Sequence, residues 1–566
     1  MPMPPALAFY LFFAWFSVAP QLLFLASGIT GWAGPRDAIL YSIAWLLLPA
    51  VLPRRAWPYA FGLVAVVMGI CALTKLGNFL VFQQELSQSV FVAIFESNPQ
   101  ESGEFLQQFF RWWMVPIGIL FCWPAWWLYR RSMATTLTMR SRSIYAAVAL
   151  LFIFQPFLVY GNSPKSWDRL ERHFATIEPW GMVQNFAKYQ DNLRESASLQ
   201  ANMEAAARDA VIHSKDPAAE QTYVLVIGES TSRRRLSLYG YPRQTSPRLQ
   251  EIRNELLVYD NVVANIPYTI EALSTTLTFT NPEKLNEAFR NMNLLTMMKK
   301  AGFKTYWITN QQTLTQRNTM LTAFARLCDE RVFLNNNRRQ NSSSYDEVVL
   351  EPFAKALTDP SPRKLIVVHL LGAHFAYQYR YPENFAVFDK ETPPTGLAQT
   401  AEQRLLYNQY DNAVRYNDHV VRELIDSLRA RDPYGFLLYF ADHGEEVFDV
   451  RDFNGRNMGN PTVNMYEVPF LLWPSPRWSA SRDMQALAAT VNRPVSLSSL
   501  MHGWCSLASI DYNQCKSQKS LFSQDFVAQQ RWVGVGKDRH AYDELVQRDK
   551  LQFALQEKKE NGQRQR

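Results

Sequence analysis

Apolar and polar residues divide this chain into two parts with different periods. Before position 162 five apolar stretches run almost without charge: Ala6 to Ala26, Ala38 to Leu52, Ala56 to Leu73, Trp112 to Tyr129 and Ile144 to Tyr160. Each is close to the length of a bilayer-crossing helix, about 20 residues. The second is short enough to be a buried or re-entrant segment, so the count needs a second criterion. From Thr222 onward, short apolar runs alternate with longer helical patterns. The runs are Tyr223 to Ile227, Thr305 to Thr309, Leu365 to His369, Phe436 to Ala441 and Phe470 to Trp473. Helices are expected at Glu271 to Thr278, Asn293 to Ala301, Asp346 to Leu357 and Gln403 to Arg431. That alternation predicts an α/β domain with a mainly parallel central sheet.

Charge supplies the second criterion. Arg54 and Arg55 separate stretches two and three, and Arg130, Arg131, Arg140 and Arg142 separate four and five. Basic loops stay in the cytoplasm. The loops after stretches one and three carry few basic residues, and the latter holds Glu85, Glu96, Glu101 and Glu104. Five spans satisfy this alternation, with the N-terminus inside and everything after Tyr160 outside; four would break it. Stretch one lacks a basic flank before Arg36, so it is expected to be a retained anchor, not a signal peptide. Between Leu76 and Arg111 apolar and polar residues alternate as in interfacial helices. The expected organisation is a five-helix transmembrane domain (1–161), a linker with helices outside the membrane (162–219), an α/β domain on the same side (220–545) and a charged tail (546–566).

Composition changes this picture little. The mean hydropathy of −0.20 averages an apolar first third with a polar remainder. The net charge of +7 is spread out, and without a dense basic run outside the tail it gives no reason to expect nucleic acid. The five cysteines form no CxxC pair, so a cysteine metal site is not expected. In an oxidising compartment Cys505 and Cys515 could form one local disulfide, leaving Cys328 unpaired.

In open α/β folds the chemistry lies at the carboxyl ends of strands. Glu229 follows the first run after Gly228; alone, it would be read as a solvated turn residue. Asp442 and His443 follow the fourth run and offer an oxygen and a nitrogen to a divalent metal. Thr269 precedes an expected helix, which would set its hydroxyl at the helix N-terminus, where free amides and the helix dipole favour phosphate; a metal-bound hydroxyl there is a nucleophile for phosphorus. His374 follows a third strand, while His369 inside that strand reads as a core residue.

These strand ends also carry a joint pattern: VIGES at Val226 to Ser230, YGYPRQTSP at Tyr239 to Pro247, PYTIE at Pro267 to Glu271 and WITNQQT at Trp307 to Thr313. RNTML at Arg317 to Leu321, HLLGAH at His369 to His374, RYPEN at Arg380 to Asn384 and ADHGEE at Ala441 to Glu446 complete it. With five membrane helices ahead of them, these motifs resemble the phosphoethanolamine transferases of the alkaline phosphatase and sulfatase-like superfamily, particularly those that decorate the lipopolysaccharide core. The resemblance implies a bacterial inner-membrane enzyme with a periplasmic catalytic domain. It implies zinc held by Glu229, Thr269, Asp442 and His443, with Thr269 as the residue that becomes modified. It also implies phosphatidylethanolamine as donor, a core heptose as acceptor, and a role for His374 as phosphate contact, second-metal ligand or acid. Asn310 and Gln311 are expected to contact substrate, and Ser97, Asn98 and Glu101 resemble the loop near the lipid head group. Lipid A-directed members carry a further histidine about a dozen residues after the Asp-His pair, whereas the next histidine here is His502. That difference leans towards the core acceptor and leaves Arg456, Asn457 and Asn464 as phosphate contacts. Lipid A or glucan acceptors, and glycerol-phosphate transfer, remain open alternatives. The segment Thr269 to Leu273 lacks the Cys or Ser nucleophile of a true sulfatase.

Overall fold

The computed structural model describes residues 4–27, 31–82, 110–184, 186–187, 201–311, 319–335, 345–394 and 397–550. They fall into two compact units, one holding the described residues up to 187 and the other those from 201.

The first unit is helical. Its main helices are α1 (Pro5–Ala26), α2 (Ala33–Tyr41), α3 (Leu47–Val51), α4 (Trp57–Phe82), α5 (Met114–Met133), α6 (Met139–Tyr160) and α7 (Pro164–Phe174). Among the described residues three helices are long and apolar enough to cross a membrane: Pro5–Ala26, Arg54–Val81 and Met139–Tyr160. The expected second span is divided, with the 3-10 turn Ser42–Leu46 between α2 and α3. Phe9 and Phe61 pack inward against Trp57, and Phe13 against Phe61, while Leu63, Val66, Ile70, Ile119, Leu120, Trp123 and Leu158 are exposed. Apolar side chains turned outward suit helices whose solvent is lipid. Buried charge in such a unit must be paired, and Glu178 pairs with Lys75 while its backbone N–H donates to Ser17 Oγ.

The second unit is built on a seven-stranded sheet. Its strands are β1 (Gln221–Gly228), β2 (Leu257–Val258), β3 (Lys304–Thr309), β4 (Glu330–Phe333), β5 (Arg363–His369) and β6 (Gly435–Ala441). The hairpin β7 (Glu446–Val447) and β8 (Asn454–Gly455) stands apart from that sheet, and β9 (Phe470–Pro474) completes it. The order is β2-β9-β6-β1-β5-β3-β4. The sheet is mixed and not mainly parallel as expected: β6, β1, β5, β3 and β4 run parallel, but β9 pairs antiparallel with both β6 and β2. An apolar run carries no direction, so β9 was visible as a strand while its orientation was not. Every residue of β1 and β6 is buried, which is why these central strands read as unbroken apolar runs instead of alternating. Tyr223, Leu225 and Ile227 face one core, and Val224 and Val226 the other.

The helix Ala401–Arg429 packs on the second core through Tyr410, Val414, Val421 and Leu428. Thr400 caps it: its side chain accepts from the Gln403 N–H, and the Gln403 side chain accepts from the Thr400 N–H, satisfying two end amides. Cys505 and Cys515 are bridged, and Cys328 is a buried free thiol.

Candidate active site

β1 and β6 lie side by side with Gly228 paired to Ala441, so the residues that follow, Glu229 and Asp442, emerge together at one sheet edge. The Asp442 N–H donates to Gly228 O at 3.1 Å, tying the two strand ends. Two glycines permit the crowding. Gly372 has φ +54°, and a Cβ there would lie 2.8 Å from both Glu229 N and O. A Cβ on Gly444 would lie 2.0 Å from Asn464 O.

Thr269 is the first residue of the helix Thr269–Thr276, whose unpaired amides begin at that point. Its Oγ1 donates to Glu229 Oε2 at 3.0 Å and lies 3.3 Å from His443 Nε2. His443 Nδ1 lies 3.0 Å from Gly444 O; a carbonyl can only accept, so Nδ1 carries the proton and Nε2 presents its lone pair. That Nε2 is 3.3 Å from Glu229 Oε1 and 3.2 Å from Asp442 Oδ2. Asp442 Oδ1 accepts from the N–H groups of Ser230 and His443 at 3.1 and 2.8 Å, while Oδ2 is buried with no hydrogen-bond partner.

Electrostatics follow from this crowding. Burial works to raise the Glu229 carboxyl, but its surroundings outweigh it and hold the group well below the usual range, and with His443 neutral the cation against it is Arg456, 3.8 Å from Oε1. Asp442 goes the other way, raised by burial and by the neighbouring Glu229 charge. Burial, with the Arg456 charge, lowers His443, which favours the neutral ring a metal requires. One ligand atom from each of Glu229, Asp442 and His443 lies within 4.8 Å of the others. Two carboxylates, one of them with the orphaned oxygen Asp442 Oδ2, an imidazole with Nε2 deprotonated and a hydroxyl form a donor set that fits a divalent metal.

The remaining sequence candidates are placed as follows. Gln311 Nε2 donates to Glu229 Oε2 at 3.2 Å and to Leu370 O at 2.9 Å. Asn310 is buried and its amide donates to Asp346 Oδ1 at 2.9 Å. His374 lies on the loop after β5, its N–H donating to Leu371 O at 3.2 Å. Ser97, Asn98 and Glu101 lie outside the described residues. Three contributors were given no role by sequence. Ser230 Oγ donates to Glu229 Oε1 at 2.6 Å. Asp346 accepts from the N–H groups of Leu371 and Gly372 at 2.8 and 2.7 Å, fixing the loop that leads to His374. Glu445 is buried beside Ser230, Tyr377 and Arg456, and burial pushes it up to about 7. Glu445 stood inside a recognised motif; Asp346 gave no signal beyond opening a helix.

The Sulfatase family model matches residues 221–510, which defines the class to which this sheet and its strand-end side-chain cluster belong. Across the chain, phosphoethanolamine transferase EptC of Escherichia coli K12 is 38% identical over 564 residues, covering 96% of each chain. The crystal structure of the Escherichia coli EptC C-terminal periplasmic domain in complex with Zn is 46% identical, with a TM-score of 0.57. It covers 59% of this chain and 96% of its own. The integral membrane lipooligosaccharide phosphoethanolamine transferase A of Neisseria meningitidis shares the fold over 91% of this chain and 96% of its own, at a TM-score of 0.60 and 17% identity. The chain belongs to the phosphoethanolamine transferases, a branch of the sulfatase-like enzymes.

Proposed function

We propose that this chain moves phosphoethanolamine from phosphatidylethanolamine to the lipopolysaccharide core through a modified Thr269. The observation that carries this reading is the Thr269 hydroxyl at a helix N-terminus, within 3.0 Å of Glu229 and 3.3 Å of His443 at the three-ligand cluster. Glu229, Asp442, His443 and Thr269 would hold zinc, in keeping with the Zn complex of the EptC periplasmic domain. Zinc there supplies a Lewis acid for phosphoryl oxygen and lowers the pKa of a bound hydroxyl.

The chain's own residues do the rest. Glu229 Oε2 orients the Thr269 hydroxyl, and Ser230 and Gln311 hold Glu229 in turn. The helix N-terminus at Thr269 favours the negative charge of the arriving phosphoryl group. His374, on the loop fixed by Asp346, donates a proton to the departing diacylglycerol oxygen. Asn310 acts through Asp346, and Ser97 and Glu101 meet the lipid head group. The membrane unit spans the inner membrane five times, by the charge alternation of its loops, and the catalytic unit lies in the periplasm; the Cys505–Cys515 bridge suits that compartment.

The absence of a histidine between His443 and His502 favours a core heptose acceptor. The purified chain with phosphatidylethanolamine and isolated lipopolysaccharide core should yield core oligosaccharide bearing phosphoethanolamine. Transfer to lipid A instead would replace the acceptor, and a glycerol-phosphate product from phosphatidylglycerol would replace the donor.

A further inference from the structure

We propose that Arg456 is a catalytic residue whose guanidinium holds the non-bridging oxygens of the transferring phosphoryl group; this rests on the reading of Thr269 as the group's carrier. Chain geometry brings the arginine to the site. After His443 the chain leaves along β7 and returns along β8, with Glu446 paired to Gly455 and Val447 to Asn454. Continuing that register places Arg456 opposite Glu445. The hairpin is closed by Phe448 N–H donating to Phe453 O at 2.9 Å and fastened by Tyr377 OH donating to Asn454 Oδ1 at 2.9 Å. Gly455, at φ +123°, takes the turn into Arg456 in a conformation that other residues resist.

The guanidinium then sits on the ligand cluster. Arg456 Nη1 is 2.7 Å from His443 Nε2 and 3.8 Å from Glu229 Oε1. Its side chain is 15% exposed where that of Glu229 is 1%, so the guanidinium is the more solvent-accessible of the two. A guanidinium keeps its proton throughout the pH range in which proteins stay folded. It is a fixed positive charge.

The contact with His443 has a consequence for this role. Nε2 has one lone pair, which accepts from Arg456 or binds a metal ion but not both. A metal held by Nε2 would leave the Arg456 N–H free at the atom that Thr269 Oγ1 also approaches, 3.3 Å away. A transferring phosphoryl group spreads negative charge over its non-bridging oxygens and needs cations around it. Among the described residues Glu229, Asp442 and His443 form a single group able to hold a metal, and Arg456 is a fixed cation in contact with it. A planar fork matches two phosphoryl oxygens at once.

A purely structural counter-ion would occupy the same position, and the two roles separate by measurement. The full chain in detergent, loaded with zinc, is compared as wild type, Arg456→Gln, Arg456→Lys and Thr269→Ala. Zinc content is measured by metal analysis and affinity for O-phosphoethanolamine by calorimetry. Arg456→Gln should keep its zinc, since a competing cation has been removed, and bind phosphoethanolamine at least about tenfold more weakly. Arg456→Lys should fall between, because a point charge replaces the fork. Thr269→Ala should lose the covalent adduct yet still bind phosphoethanolamine. Loss of zinc from Arg456→Gln, or phosphoethanolamine binding within about twofold of wild type at full zinc occupancy, overturns the proposal. If instead Thr269→Ala still forms the adduct, the Thr269 reading fails while the binding comparison continues to decide Arg456.

Discussion

Ser230 follows Glu229 with φ +53°, a left-handed conformation that a non-glycine residue rarely adopts. Such strain persists where surrounding contacts over-determine it, and here they do. Its N–H is held by Asp442, its hydroxyl by Glu229 and its carbonyl by Tyr410 OH at 2.7 Å. Partners one step behind the ligands set metal affinity, so Ser230→Ala should weaken zinc binding by about 10- to 100-fold with the fold intact. Chelator competition would read this, and an unchanged affinity would mean that Glu229 needs no such support. Glu467 is a second residue-scale case, away from the ligands. Burial works to raise its carboxyl, yet the hydrogen bond from Arg234, the charges of Arg233 and Arg234 and the Tyr542 hydroxyl hold it below its ordinary 4.5. The unfolded chain therefore protonates first. The contribution of Glu467 to stability is complete above about pH 4.5 and is lost as pH falls through the lower folded value. Glu467→Gln should lower the Tm at neutral pH and show a smaller drop on acidification below about pH 4.5; equal drops in both proteins would contradict this.

Elements explain which of these features could be read in advance. β1, β3, β5, β6 and β9 were legible because burial on both faces makes an apolar run, and Glu229, Asp442 and His443 were legible because they follow such runs directly. The two-residue strand β2 was too short to produce a pattern, and the direction of β9 leaves no mark on composition. Arg456 entered the sequence reading only as one of three loop candidates. Its contact with His443 depends on the β7–β8 hairpin, whose register is a tertiary fact. Asp346 likewise acts across a gap of 25 residues, through the amides of Leu371 and Gly372. The tightest element-scale constraint is Gly444, where the loop after β6 crosses the backbone of Asn464. Gly444→Ala forces a backbone shift within the ligand set and should cost at least about 3 kcal/mol with loss of zinc. A Tm within a degree or two of wild type, with zinc retained, would show that the crossing relaxes freely.

At the scale of the whole molecule, two units with different solvents share one chain. The helical unit turns leucine, isoleucine and tryptophan outward, whereas the catalytic unit hides its apolar residues on the two faces of one sheet. The proposed five passes predict that the short connection after α5 is cytoplasmic and the catalytic unit outside. In spheroplasts of a Cys122→Ser background, an impermeant thiol reagent should label Glu391→Cys and spare Thr136→Cys. Labelling at position 136 would require a different number of passes. The central claim, that Thr269 carries the group between donor and acceptor, is tested most directly by intact mass. Zinc-loaded wild type and Thr269→Ala are each incubated with phosphatidylethanolamine. Wild type alone should gain the mass of one phosphoethanolamine group, on the peptide containing Thr269; the same gain in both proteins, or in neither, would contradict it.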